Sequence, residues 1–396
     1  MNKQEFLEKY VTDRHGTDSM KWDGLKDKFG EDDLLAMWVA DMEFKTCDAI
    51  VDAMTERVKH GIFGYSVVPD RYYEIFSNWM EQKHGFAVKK EWVRFSTGCV
   101  TGIAWMIHAF TKPKDACMIL TPVYYPFHNV VTNNDRTLVK VGLKYEDGYF
   151  TMDYDAMEKA IVEQNVKMFL MCSPHNPAGR VWTEEELERV LDICQKHQVL
   201  VVSDEIHQDL IFGDSKFVSA ASVAGGKYQD ILLILNSASK TFNLATLIHS
   251  HILIFNEKLR EIYDKFASGL NRTEVSIMGM VATMAGYEKG SEWLDHVLEV
   301  IWDNYQYLKT TLETELPGVR VCSMEGTYLP MVDLRAYVDP EKTQEFVQGK
   351  CRLGVDYGEW FGEEYKGFIR LNLATDPQFV KTAVERIIRE ARQAKE

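Results

Sequence analysis

The sequence predicts an α/β fold: a mostly parallel β-sheet wrapped by helices, followed by a smaller α+β unit. Three observations predict it. Apolar runs of strand length alternate with helix-period segments up to about residue 255. Those runs are continuously apolar, as in ILLIL at 231–235, and so read as strands covered on both faces. After residue 257 the alternation stops, giving a long helical stretch to 315 and then short strands among helices. At 396 residues the chain exceeds one small domain. We expect an N-terminal arm joined to the small domain over 1–45, a large domain over 46–285 and a small C-terminal domain over 286–396.

In chain order, residues 1–45 read as irregular, closing with the apolar and acidic octet MWVADMEF. From Cys47, Ile50, Val51, Met54 and Val58 recur at helix spacing. GIFGYSVVPD is a Gly/Pro-punctuated loop carrying Tyr65, and a helix follows over 72–84. VRFSTGCVTGIAW reads strand, turn, helix, with Gly98 and Cys99 in the turn and the helix starting near Val100. Backbone N–H groups there form a ready anion site. A strand at 118–120 runs into Tyr124 and Tyr125, and TLVKVGLKYED continues as one further strand. A helix capped by Asp153 or Asp155 comes next. VKMFLMC then enters S-P-H-N-P-A-G, whose prolines and glycine hold the Asn176 side chain in a rigid turn. Thr183 and Glu186 form a capping box for the helix that follows.

VLVVSDEIHQDL places Asp204 at the end of a buried strand, where a carboxylate needs a partner. Ligands of open α/β sheets bind at that edge, so Asp204 is a candidate to pair with a ligand cation. LLILNSASKTF ends its strand in Ser237, Ser239 and Lys240. A lysine becomes a nucleophile when a crowded, partly dry site lowers its pKa. His207, His249 and His251 invite a metal reading, but no carboxylate ligand set lies nearby, and packed or exposed histidines are expected. The small unit reads as two short strands about a turn from 319, a helix over DPEKTQEFVQGK, a strand centred on Arg370 and a closing amphipathic helix.

Composition narrows the function. Net charge is −15 with no basic run, which argues against nucleic-acid binding. Seven scattered cysteines, with no C-x-x-C pair, fit reduced thiols rather than a disulfide framework or zinc site. The N-terminus has no apolar signal-like core and no run spans a membrane, so a soluble, cytoplasmic protein is expected.

Taken together, the strand-end groups suit a flat, cationic, phosphorylated heteroaromatic aldehyde: pyridoxal 5′-phosphate (PLP). Lysine condenses with the aldehyde and aspartate pairs with the ring N–H⁺. Asparagine bonds the ring oxygen and tyrosine stacks. Serine hydroxyls and helix N-terminal amides hold the phosphate.

The motifs RHGTDSMKWD, MWVADMEF, FGYS, PVYYPF, SPHNPAGRVW, SDEIHQDL, SASKTFNLA, EGTYLP and FIRLNLA span almost the whole chain. In them the sequence resembles fold-type I PLP enzymes of the aminotransferase class I/II superfamily, and more narrowly the MalY/PatB branch of cystathionine β-lyases (C–S lyases). The resemblance implies a PLP-dependent transferase fold and Lys240 as the Schiff-base lysine. Asp204 is expected on the pyridine nitrogen, Asn176 on the phenolic oxygen, Tyr124 stacked on the ring and Tyr125 close to substrate. Gly98, Cys99, Val100, Ser237 and Ser239 are expected around the phosphate, with His207 also beside the cofactor. Arg370 would clamp the substrate α-carboxylate, and Trp38, Val39, Ala40 and Tyr328 would line the substrate side. Tyr65 would reach the phosphate in a neighbouring subunit, which implies a homodimer. The implied reaction is α,β-elimination of cystathionine, cystine or related thioethers to pyruvate, ammonia and a thiol.

An aminotransferase shares every one of these residues up to the carbanion and stays open as an alternative. So does a regulatory binding protein that interacts with a transcription factor. Two departures from the family pattern stand out. Thr246 replaces the glycine of the usual A-G-L, which could tighten the backbone behind the cofactor, and Cys99 replaces a valine in the G-V-V turn.

Overall fold

The computed structural model describes residues 1–271 and 275–393. Its centre is a seven-stranded sheet: β1 (Val93–Ser96), β2 (Ala116–Thr121), β3 (Thr137–Gly142), β4 (Val166–Cys172), β5 (Leu200–Asp204), β6 (Leu232–Asn236) and β7 (Ser250–Ile254). The spatial order is β3-β2-β4-β5-β6-β7-β1. β7 runs antiparallel to both neighbours and all other pairs are parallel. This is the mixed, mostly parallel sheet that the apolar runs predict. Every residue of β2, β6 and β7 is buried. Along β6 the faces alternate: Leu232 and Ile234 join one core, Leu233 and Leu235 the other.

The crossover helices place those cores. Cys99–Phe110 buries Ile103, Met106 and Ile107. Glu184–Lys196 starts at the Thr183/Glu186 capping box and buries Leu187, Val190, Leu191 and Cys194. Asp153, not Asp155, caps Tyr154–Glu163. Because β1, β2, β4, β5 and β6 point the same way, their C-terminal ends share one edge.

The C-terminal unit holds a four-stranded antiparallel sheet in the order Arg320–Val321, Met331–Asp333, Phe368–Arg370, Asp356–Tyr357. Its register sets Asp356 opposite Arg370. Among the described residues of 257–315 three helices form, Glu257–Leu270, Ile277–Lys289 and Ser291–Glu315. No helix among the described residues is long and apolar enough to cross a membrane. All seven cysteines are buried and free.

Several local expectations are corrected. The N-terminal 45 residues are not irregular throughout. Lys3–Tyr10 is a helix with an Asn2/Glu5 capping box, and it buries Phe6 and Tyr10, with Phe6 against Trp293. Two buried residues give too faint a period to read in eight positions. Leu35–Ala36 pairs with Leu353–Gly354, tying this arm to the C-terminal unit. TLVKVGLKYED is not one strand. β3 stops at Gly142, and Lys144–Glu146 turns back on Tyr149–Thr151. Asp147 and Gly148, at φ 45° and 85°, supply the positive-φ pair of a two-residue hairpin turn. DPEKTQEFVQGK is a 3₁₀ turn followed by a π-helical turn, not a regular α-helix. Within Asp48–His60 only Ile50 is fully buried, while Val51 and Val58 are about half exposed.

Candidate active site

Loops at the shared strand edge enclose a cavity of about 260 Å³. Its wall brings together ten of the residues singled out from sequence: Ala40, Gly98, Cys99, Val100, Tyr124, Asn176, Asp204, His207, Ser239 and Lys240. Larger clefts exist on the surface, such as one of about 520 Å³ along 138–142 and 156–164, but they gather no comparable groups.

Each cavity group is placed by local backbone chemistry. Gly98 follows β1 at φ 129°, where glycine is favoured, and a Cβ there would meet nothing within 4 Å. The backbone can therefore be approached closely at the N-terminus of Cys99–Phe110. Tyr124 is fixed after β2 by its N–H, which donates to the Asn176 carbonyl at 3.0 Å. The turn carrying Asn176 is braced by His175 Nε2 against the Pro122 carbonyl at 2.7 Å and by Trp182 Nε1 donating to the Cys172 carbonyl at 3.1 Å.

Lys240 sits in the short helix Ala238–Thr241 after β6, and its Nζ donates to the Ala40 carbonyl at 2.6 Å. Tyr328 donates to the same carbonyl at 2.9 Å. Burial lowers the Lys240 pKa and the nearby Arg370 adds to this, while the Asp41 and Asp204 carboxylates oppose it. Asp204 is buried at the end of β5, where a carboxylate oxygen accepts from Ile206 N–H at 3.2 Å and the Cys99 thiol adds a further side-chain contact. Burial pushes its carboxyl up to about 7. Burial also pushes Tyr124 up to about 12 and His207 down to about 3. The Cys99 thiol is buried in the wall, and burial drives it well above its ordinary value.

Arg370 is buried beside the cavity. Nη1 donates to Asn176 Oδ1 at 3.0 Å, and Nη2 donates to the Trp38 carbonyl at 3.0 Å and to the Asp356 carboxylate. Because Asn176 Oδ1 is taken by Arg370, the Asn176 amide N–H₂ is left as donor. Trp38 and Val39 meet the site through their carbonyls, which accept from Arg370 and Asn372 respectively. Tyr125 stands behind Tyr124, ring centroids 5.2 Å apart.

Three predicted residues lie elsewhere. The Ser237 hydroxyl is outside the cavity wall: it donates to the His249 carbonyl at 2.6 Å and accepts from Ser239 N–H at 3.1 Å, capping the short helix. Tyr65 is fully exposed on its loop, flanked by exposed Ile62, Phe63 and Val67. Thr246 is exposed in the turn Ala245–Leu247 and does not press on the cavity; the unusual backbone falls instead on Ile248, at φ 46°. His249 and His251 are buried, both turned onto the Tyr72 hydroxyl.

Sequence reading missed Asp356 and Asn372. No motif announces Asp356, since VDYGE has no period that marks it. Asn372 lay within FIRLNLA, two residues from Arg370, and that spacing on a strand was a usable signal.

The residues fit PLP. A buried carboxylate with no ion-pair partner among the described residues needs a cation, and a pyridinium N–H⁺ supplies one. His207 Nδ1 is buried without a partner. The glycine-opened helix N-terminus beside Ser239 suits a phosphate. An aminotransferase class I and II family model matches residues 34–387. The chain belongs to that family. Its fold class is that of the fold-type I enzymes, which the aminotransferase class I and II family shares with the solved structures it resembles. The chain is 35% identical to cystathionine beta-lyase PatB of Bacillus subtilis, over 95% of this chain and 97% of that one. It is 32% identical to protein MalY of Escherichia coli, over 91% and 93%. A PLP-bound C-S lyase of Staphylococcus hominis, complexed with the inhibitor L-cycloserine, superposes with a TM-score of 0.91 at 33% identity, covering 97% of both chains.

The Asp204 environment has a thermodynamic consequence. Its folded pKa, about 7, lies above its ordinary 3.8, so the folded protein binds the extra proton. The stabilisation is therefore complete below about pH 4 and is lost as pH rises through 7, by about 1.4 kcal/mol per pH unit inside that window. Relative to Asp204→Asn, cofactor-free wild-type protein is expected to lose melting temperature between about pH 4 and pH 7. The buried His175, His207 and His249, pushed down by burial, add an opposite slope that both proteins keep. Glu205, also pushed up to about 7 by burial, contributes a slope that both proteins keep. Parallel melting curves for the two proteins would refute the assignment.

Proposed function

We propose that the protein is a PLP-dependent C–S β-lyase that cleaves cystathionine, cystine or related cysteine thioethers to pyruvate, ammonia and a thiol. The observation that carries this reading is the convergence of Lys240, Asp204 and the Asn176–Arg370 pair on one buried cavity. The relatives named as cystathionine β-lyases and C–S lyases support the choice of reaction.

Lys240 would hold the cofactor covalently and Asp204 its ring N–H⁺. Asn176 N–H₂ would hold the ring oxygen, Tyr124 one ring face, and Ser239 with the amides after Gly98 the phosphate. Ser237 supports that grip from behind. When bound, the cofactor supplies an electron-withdrawing ring that stabilises negative charge at the substrate Cα. Arg370 orients the substrate through its α-carboxylate, between Tyr125 and the strap from Trp38 to Ala40. Lys240 would take the Cα proton, and burial, by lowering its pKa, favours the neutral amine that this needs. The Cβ–S bond breaks with its electron pair on sulfur, and water completes the release of pyruvate and ammonia.

The reading includes a cytoplasmic homodimer. The exposed run of Ile62, Phe63, Tyr65 and Val67 supports it, since a second copy would cover that apolar loop and bring Tyr65 to the neighbouring phosphate. It also includes the division into 1–45, 46–285 and 286–396. The separate four-stranded sheet and the pairing of Leu35–Ala36 to the C-terminal unit support that division.

The deciding experiment is incubation of the holoenzyme with L-cystathionine without any oxo acid. Pyruvate and thiol are expected in equal amounts. No pyruvate, together with amino transfer once 2-oxoglutarate is added, would replace the lyase with an aminotransferase.

A further inference from the structure

Arg370, read above as the α-carboxylate clamp, is already engaged by a carboxylate of its own chain. Asp356 lies directly across the strand pair from it, and the two form a buried ion pair, each about 1–2% exposed. A guanidinium offers two forks for bidentate docking, Nε–H with one Nη2 hydrogen, and the other Nη2 hydrogen with one on Nη1. Both forks need an Nη2 hydrogen. Here Nη2 is shared between the Trp38 carbonyl and Asp356 Oδ2, so neither fork is free. Two polar atoms of the pair, Arg370 Nε and Asp356 Oδ1, are buried without partners.

A substrate carboxylate must therefore displace one of these acceptors. The Trp38 carbonyl is poorly placed to leave. Its strap is held by Met37 N–H on the Gly354 carbonyl at 2.8 Å, by the Trp38 indole on the Lys21 carbonyl at 2.9 Å, and by Asn372 on the Val39 carbonyl. Asp356 is a side chain, and a carboxylate that loses its cation in a buried site can become neutral by taking a proton. Two ionised carboxylates around one buried guanidinium would leave a net negative charge in low dielectric.

We propose that Asp356 holds the place on Arg370 that the substrate α-carboxylate takes, and that it yields this place by accepting a proton. Substrate docking is then coupled to proton uptake, and Asp356 is a positioning residue that sets the pH range of binding. The inference rests on the reading of Arg370 as the carboxylate clamp.

The surroundings are consistent with this. Burial raises the Asp356 pKa, opposed by Arg370 and by Lys28 of the arm helix Leu25–Phe29. The Lys28 ammonium lies 3.9 Å from the Trp360 ring centroid, at the same end of the site. Tyr124 and Tyr125, from the loop after β2, and Tyr357, from Asp356's own segment beside Glu359, also face Asp356. Burial pushes all three tyrosines up, so they stay neutral around pH 7.

The test is calorimetric titration of the holoenzyme with 3-(methylthio)propanoate, a thioether carboxylate without an amino group, so no turnover occurs. Measured between about pH 6 and pH 9 in two buffers of different ionisation enthalpy, it counts the protons taken up. Wild-type protein should take up close to one proton per ligand at the upper end. Its affinity should fall by up to about tenfold per pH unit. Asp356→Asn should show no such uptake and a flatter, tighter profile. If Asp356→Asn does not fold, Lys28→Ala keeps the proposal testable. Removing that exposed cation favours protonated Asp356, so the fall in affinity should move to higher pH. Equal uptake in wild type and Asp356→Asn, or an unmoved profile in Lys28→Ala, overturns the proposal. Binding that persists unchanged in Arg370→Ala would instead overturn the clamp reading beneath it.

Discussion

Lys240→Ala protein is expected to lose pyruvate formation from L-cystathionine by about 10⁴-fold, the upper end for removal of a general base. In the proposed mechanism the residue carries two tasks at one atom, covalent attachment and Cα proton transfer, and alanine removes both. The variant should also fail to keep its yellow colour on gel filtration after mixing with PLP. Its fold should survive, because Lys240 Nζ makes one hydrogen bond to protein, to the Ala40 carbonyl, which Tyr328 continues to satisfy. A small primary amine added to the variant should restore part of the activity by supplying the missing base. Full activity without such an amine would remove Lys240 from the mechanism.

Asp204→Asn is expected to lower kcat by about 10²- to 10³-fold, comparable to losing one preorganised electrostatic contact to developing charge. Asparagine keeps the volume and can still accept from Ile206 N–H, so the cavity should persist. What it removes is the negative charge that, in the proposed function, keeps a ring nitrogen protonated, and with it the sink for Cα electrons. The loss should therefore appear in kcat more than in KM, because the proposed carboxylate clamp, Arg370, is left in place. A variant with raised KM and unchanged kcat would place Asp204 in substrate binding instead. This readout is separate from the melting behaviour of cofactor-free Asp204→Asn, which reports only the cost of burying the carboxylate.

Much of this architecture was legible because parallel strands covered on both faces must be apolar throughout. LLILN and ACMILT have no polar alternation and declared themselves as β6 and β2. Thr183 and Glu186 declared a helix start because reciprocal capping needs those residue types three apart. Other elements stayed hidden. The Lys3–Tyr10 helix depends on packing of Phe6 against Trp293, a contact with a distant helix. The hairpin after β3 was signalled by Asp147-Gly148, but the strand-like residues on both sides masked the turn. Thr246 looked like the point of departure from the family, yet it faces outward.

The sequence by itself determined which chemical groups end the strands: an amine after β6, a carboxylate after β5, an amide after β4 and an aromatic after β2. Strand polarity then put them on one edge, because parallel strands deliver their C-terminal ends together. Only the tertiary structure decided where each side chain turns and what it meets. Ser237 became a cap while Ser239 faced the cavity, because the short helix needed an acceptor at its start. Asp356 met Arg370 because antiparallel register, set by the packing of the small sheet, laid one residue across from the other. Such pairings depend on neighbours brought from other elements, and a single strand's own residues do not encode them.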